Sequence, residues 1–504
     1  MKLDGIKLNI YDDETELLVR ARKMSGLEGK FFKILKKSLD ARDKNRIFYV
    51  YSVEISDTPF AEESEEIKTY APPSSPIVVG FGPAGMFCAL SLARAGFKPI
   101  VLERGGNVDE RKKATDTFFN SAVLDTECNI QYGEGGAGTF SDGKLNTGIK
   151  SEYKAFIMHE FIRHGAPKEI AYLNKPHIGS DNLPKVVKSI REEIISLGGK
   201  VLFNTALVDI DIKNGKITKL TVREKNGKSY KIDCDEVVLA IGHSSRDTYE
   251  KLFSRGVVME QKDCAIGFRV EHLQDDINKA QFGKDIGIVA DYKAVSNKRD
   301  RGVFSFCMCP GGVVVPASSE ESGVVTNGMS EFKRDKINAN SAIVCQIRKS
   351  DFSADVFSGM EYLRKIERLA FEKGGREYRA PCQNVVDFMK NKQSKAFEKV
   401  KPTYAIGTTF VKADEILPSY VCDSIRIGIE DIDKRIKGFA KSGVITMPET
   451  RTSSPVRIVR NENCSAVGIC NLYPCGEVGF AGGITSSAVD GLKIANVIKK
   501  KYEK

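Results

Sequence analysis

Apolar and polar positions alternate at the start of the chain. Ile6, Leu8 and Ile10 are spaced as on a strand, and Asp13 and Glu16 then open a helical pattern through Leu17, Leu18, Ala21 and Met24. Residues 31–35 and 47–53 read as two further strands. This predicts a small β-α-β-β unit over residues 1–70. A tether follows, acidic at Glu62, Glu63, Glu65 and Glu66 and proline-rich at Pro72, Pro73 and Pro76. Beyond it the period changes. Ile77-Val78-Val79 is a short buried strand, 86–95 is helical, Gly96 stops that helix, and 99–102 is strand again. Residues 108–120, 153–164 and 183–197 read as helices, the last ended by Gly198-Gly199. Strands at 208–212, 217–223 and 229–232 are joined by Asn214-Gly215 and Asn226-Gly227, which favour tight hairpins. The apolar run 236–242 suits a strand covered on both faces of a parallel sheet.

From about Cys264 to Asn463 the pattern is mixed, with strands at 265–271, 303–309 and 312–316 and helices at 360–373 and 425–439. After residue 464 the chain returns to strand, glycine-rich turn and a helix over 485–499. The predicted architecture is α/β. A discontinuous Rossmann-like domain (71–263 and 464–504) carries a three-stranded β-meander. An α+β substrate or cap domain (264–463) is inserted in it, and a small α+β domain (1–70) precedes it.

The first strand runs into Gly80-Phe81-Gly82-Pro83-Ala84-Gly85, a G-x-G-x-x-G at a strand–helix junction. Gly80 permits the tight turn, Gly82 lets backbone approach a pyrophosphate, and Gly85 lets helix and sheet pack closely. Pro83 and Ala84, within the motif, are further candidates, because the N-terminus of the helix that follows offers free N–H groups and a positive dipole end that suit phosphate. Glu103, at the end of the second strand, is placed to bond a ribose diol, and its charge disfavours a 2′-phosphate; Arg104 follows it. A second loop holds glycine at 133, 135, 136, 138 and 143. Gly135, Gly136, Thr139, Phe140, Ser141 and Lys144 are candidates there, because such a loop brings backbone N–H groups to a planar or anionic ligand. Val208 on the meander and Gly242 after the buried strand join the cofactor candidates.

Composition narrows the class. Hydrophobic residues make up 41% and charged residues 29% of 504, which is ordinary for a globular protein of two or three domains. No apolar run reaches the length of a membrane span, and Met1-Lys2-Leu3-Asp4-Gly5 has no signal-like region. A cytoplasmic location is expected, with no membrane partner. The 12 cysteines form no zinc-type pair, so they read as reduced thiols, and no metal site is expected. The net charge of +10 is modest for this length. Lys30, Lys33, Lys36, Lys37, Arg42, Lys44 and Arg46 make the first unit basic, but a solvated face is favoured there over a nucleic-acid surface.

Near the C-terminus, Gly476-Glu477 ends a strand, and Gly482-Gly483-Ile484 opens the last helix. This resembles the second FAD motif of the glutathione reductase and fumarate reductase class of flavoproteins. In that class the acid bonds the ribityl or pyrophosphate region, and the helix points at the N1/C2=O edge of the flavin. Together with Gly80 it selects FAD over NAD. The resemblance goes further. Segments 133–145, 242–248, 305–312, 327–330 and 449–455 look like those of the bacterial family of uncharacterised FAD-utilising dehydrogenases, and the likeness covers nearly the whole chain. Phe480 stands where that family usually has tyrosine. The resemblance implies a flavoprotein dehydrogenase or reductase and names no substrate.

The expected function is FAD-dependent hydride transfer between a small organic substrate and the flavin. A diffusible nicotinamide, NAD(P)H, or a protein is the candidate electron partner, because no second G-x-G-x-x-G follows Gly242. Only 5 histidines exist; His177 and His272 are candidate acids or bases. Arg269, with Arg451, could clamp a carboxylate. Cys307 and Cys309, two apart on a strand, could meet as a redox pair. The alternatives are a flavin monooxygenase and an FAD-containing RNA-modifying or RNA-binding protein.

Overall fold

A computed structural model describes residues 1–61 and 68–503. The acidic tether at Glu62, Glu63, Glu65 and Glu66 lies outside the described residues. The chain is an α/β protein organised on a five-stranded parallel sheet. Its strand order is Leu472–Pro474, Val237–Leu239, Ile77–Val79, Ile100–Leu102, Lys200–Leu202. Val237–Leu239 is buried throughout, as its unbroken apolar run requires. From Ile77–Val79 the chain first builds toward Lys200–Leu202. It then returns to add Val237–Leu239 and Leu472–Pro474 on the other side. The order thus reverses beside Ile77–Val79. A crevice opens at the carboxyl ends of strands at such a switch point.

Helix Pro83–Arg94 buries nine of its residues under this sheet, and the C-terminal helix Ile484–Lys500 lies against it. The contact is backbone-close: a β-carbon on Gly491 would stand 2.2 Å from the Ala84 carbonyl oxygen. The meander pairs Thr205–Lys213 with Lys216–Glu224 and that strand with Ser229–Asp233. Asn214 and Gly215 both take the positive φ that its first hairpin turn needs, 50° and 70°.

Residues 264–449 supply all seven strands of a second sheet, whose central strand, Cys264–Leu273, runs antiparallel to Asn338–Ile347 and Val444–Glu449. The helix expected over 425–439 is instead Ser419–Asp433. Pro418 sits at its N-cap, with no N–H to lose, and Val421, Ile425, Ile429 and Ile432 give it a continuous buried stripe.

The first unit is a three-stranded antiparallel sheet of Lys2–Asn9, Phe48–Ser56 and Phe31–Asp40, covered by helix Thr15–Ser25. Part of its basic charge is used internally. Lys37 pairs with Glu14 at 3.0 Å, Arg42 with Asp40 at 2.7 Å, and Lys44 donates to the Ala280 carbonyl at 2.9 Å. Among the described residues no helix is long and apolar enough to cross a membrane.

Candidate functional site

A cavity of about 600 Å³ opens where the sheet order reverses. Gly80, Gly242 and Gly476 follow its three nearest strands with φ of 98°, 67° and 68°, a region that disfavours side chains. A β-carbon on Gly80 would be 2.4 Å from the Ala240 carbonyl, and one on Gly85 only 2.0 Å from the Gly80 carbonyl. Gly80 and Gly85 are therefore glycine for the turn and the packing. Gly82, Pro83 and Ala84 face the cavity. Glu103 faces it too, and its carboxylate also fastens two loops. It accepts from the N–H of Phe81 at 2.8 Å and from those of Gly105 and Gly133 at 2.9 Å. Arg104 pairs with Asp247 at 2.5 Å and lies over the Tyr132 ring.

The glycine loop is built around a residue that its sequence does not advertise. Arg111, on helix Val108–Ser121, is fully buried beneath it. Its guanidinium donates to the carbonyls of Asn129 (2.9 Å), Ile130 (2.7 Å), Glu134 (2.7 Å) and Gly136 (2.8 Å). Burial pulls it down to about 10, against nearby carboxylates. Phe140 packs on that guanidinium, and Thr139 is turned into the loop, where its hydroxyl approaches Gly135. Gly135, Thr139 and Phe140 thus shape the loop, whereas Gly136, Ser141 and Lys144 line the cavity. Val208 does not line it; Thr205 and Leu207 do. Alternation along the strand puts Val208 on the other face.

The second motif closes the opposite wall. The Gly476 N–H donates to Asp490 at 2.8 Å, and Arg460 holds that carboxylate at 2.9 Å. Burial pushes the Asp490 carboxyl up, against the pull of Arg460. Glu477 lines the cavity and accepts from the Ser454 N–H at 2.9 Å. Gly482, Gly483 and Ile484 also line it. Helices Pro83–Arg94 and Ile484–Lys500 both begin here without a side-chain cap or an acid in the first turn. Two uncapped helix N-termini on one cavity, with glycine wherever backbone must come close, fit a dinucleotide with an electron-accepting ring.

Residues 74–289 match the model of the pyridine nucleotide-disulphide oxidoreductases, and residues 263–452 match that described as FAD-dependent protein, C-terminal domain-like. Residues 4–56 match a domain of unknown function. An uncharacterized protein of Clostridium beijerinckii is 46% identical across 100% of this chain and 99% of its own length. The chain belongs to this family of FAD-dependent proteins. It is an oxidoreductase, and FAD is its cofactor. Among solved structures, it is similar to a geranylgeranyl bacteriochlorophyll reductase-like protein of Thermoplasma acidophilum, at 13% identity and a TM-score of 0.38 over 86% of this chain and 78% of that one. Glycine oxidase of Bacillus cereus is similar at 12% identity and a TM-score of 0.34, over 86% and 96%.

In this FAD-dependent protein the candidates for chemistry separate sharply. His272 is 2% exposed, bonds the Phe439 carbonyl at 3.0 Å, and borders a different cavity with Lys44 and Asp276. It sits near the far end of its long strand and does not line the cavity at the sheet's switch point. His177 stacks on Phe332 and bonds the Phe332 carbonyl at 3.0 Å; it does not line the cavity either. Arg269 is fully buried and has no edge left for a substrate carboxylate. It reaches Glu449 at 2.9 Å, Asn327 at 2.8 Å, Asn340 at 3.0 Å and the Cys307 carbonyl at 2.7 Å. Arg451 lines the cavity but is spent on Glu367, which it grips through two 2.9 Å contacts beside Arg246. Cys307 lines the cavity, and Cys309 is buried behind it. His243, Phe306 and Asn327 complete that wall.

Proposed function

We propose that this protein transfers hydride between FAD and a small organic molecule held in the same cavity. In this reading residues 71–263 and 464–504 carry the cofactor, and 264–463 form the substrate side. One observation carries it: the cavity bounded by Gly82, Gly136 and Gly483 is also bounded by Lys144, Phe306, Cys307 and Asn327. Bound FAD supplies the two-electron chemistry, and the chain supplies position, charge and exclusion of water. The uncapped N-terminus at Ile484 stabilises negative charge on the ligand beside it. Lys144 has a buried Nζ without a hydrogen-bond partner, 3.6 Å from Asp142. It is the group best placed to bind an oxygen of the substrate. Phe306 offers a partly exposed ring as an apolar wall. A diffusible nicotinamide is the proposed electron partner.

The test is anaerobic bleaching of the flavin absorbance of the purified holoprotein across a metabolite panel that includes NADH and NADPH. Reduction by a nicotinamide, followed by reoxidation with one class of organic acceptor, is the expected result. A flavin that no member of the panel reduces or reoxidises would refute hydride transfer.

A further inference from the structure

We propose that the cavity between the first unit and the 264–449 domain binds a small organic phosphate bearing a hydroxyl group, and that this ligand pins the first unit to that domain. The site shares no lining residue with the flavin cavity.

The cavity holds about 480 Å³, within the range of small-molecule pockets. Lys44 enters it from the first unit, and Lys279, Lys437 and Lys441 enter from the other side. Asp276 is the acid of this wall, and Lys399 already pairs with it at 3.0 Å. The nearby Asp433 carboxylate is engaged by the Ala440 N–H at 2.9 Å. Among the described residues no carboxylate pairs with Lys44, Lys279, Lys437 or Lys441. Like charges gathered without counter-charges repel one another, and a bound phosphate offsets that repulsion.

Both walls are fixed in place. Lys44 donates to the Ala280 carbonyl at 2.9 Å, and Ile47, three residues on, is buried in the core of the 264–449 domain. Opposite, the His272 ring lies 4.4 Å from the Phe439 ring and bonds the Phe439 carbonyl at 3.0 Å. Gly443 permits this approach: its φ is 104°, and a β-carbon there would stand 2.9 Å from His272 Nε2. Burial holds the ring toward its neutral form. Because Nε2 faces a carbonyl, that nitrogen carries the proton and Nδ1 is an acceptor. Nδ1 is buried and has no hydrogen-bond partner. Such an atom is costly to leave unpaired, and a ligand hydroxyl supplies the missing donor. Phe439 and Ile277, both buried, make an apolar floor. Cations at the rim, an acceptor at depth and an apolar floor select an organic phosphate with a hydroxyl over inorganic phosphate.

Isothermal calorimetry of the full-length holoprotein, at constant ionic strength, compares ribose 5-phosphate, AMP and inorganic phosphate. Saturable binding of ribose 5-phosphate or AMP is expected, with inorganic phosphate about tenfold weaker. The tighter of the two organic ligands tells a sugar phosphate from a nucleotide. Hydrogen exchange should slow on binding in segments 41–47 and 436–443. Lys279 and Lys441 are exposed, so Lys279→Gln with Lys441→Gln should leave the fold intact. This double variant should bind about tenfold more weakly. Failure of both organic phosphates to bind, inorganic phosphate binding as tightly as either, protection placed elsewhere, or undiminished affinity in the double variant would overturn the proposal.

Discussion

Gly82 and Gly136 meet backbone to backbone: a β-carbon on Gly136 would stand 2.9 Å from the Gly82 Cα. The first is the N-cap of the fingerprint helix and the second belongs to the glycine loop, so two distant stretches share one wall of the cavity. Gly136 also has a φ of 63°. Gly136→Ala should therefore weaken FAD binding at least tenfold and cost roughly 1–3 kcal/mol of stability through strain and displacement. Fluorescence titration with FAD and urea unfolding read the two effects. Unchanged affinity would mean that this approach does not shape the cofactor site.

Arg111 fixes the same loop from below. Arg111→Lys keeps a charge but loses the planar fork that reaches several carbonyls at once. Each buried carbonyl left unpaired costs about 1–3 kcal/mol. The variant should keep its helical circular dichroism, release FAD on gel filtration and expose the 129–145 segment to rapid hydrogen exchange. Full retention of FAD would show that the loop holds its shape without the guanidinium.

Acid should loosen the packing of helix Tyr153–Arg163. Burial raises the Glu160 carboxyl, but His164, Arg94 and Arg163 outweigh it and bring it from 4.5 down to about 2. A depressed carboxylate contributes stability above its unfolded value and loses it as pH falls toward the folded one. The contribution is thus whole above pH 4.5 and fades between about 4.5 and 2. Glu160→Gln should lower the thermal midpoint at neutral pH, and the gap to the wild type should close across that window. A gap independent of pH would show that Glu160 acts by shape alone.

The pattern of glycines, hairpin turns and buried strands made the sheet, the meander and both ends of the cavity legible. Gly80, Gly82, Glu103, Gly483 and Ile484 carry local signals that survive without the rest of the fold. What escaped depends on long-range placement. Arg111 lies in a polar helix that reads as solvated, and only the return of residues 129–136 over it makes it a core residue. Asp490 looks like an ordinary helix acid until Gly476 and Arg460 close on it. Val208 and Leu207 differ only in strand parity, which a boundary error of one residue reverses. Arg269 and Arg451 face carboxylates that lie 180 and 84 residues away in sequence, Glu449 and Glu367. His272 lies away from the cavity for a geometric reason, because it stands near one end of the ten-residue strand Cys264–Leu273.

Two uncapped helix N-termini on one cavity should together hold a single FAD. Spectroscopic titration of the apoprotein with FAD tests it most directly. Saturation at one FAD per chain, lost when Gly483→Asp places a negative charge at the second N-terminus, is the predicted result. A protein that stays colourless in excess FAD, or one that binds FAD equally well with Asp at 483, would contradict it.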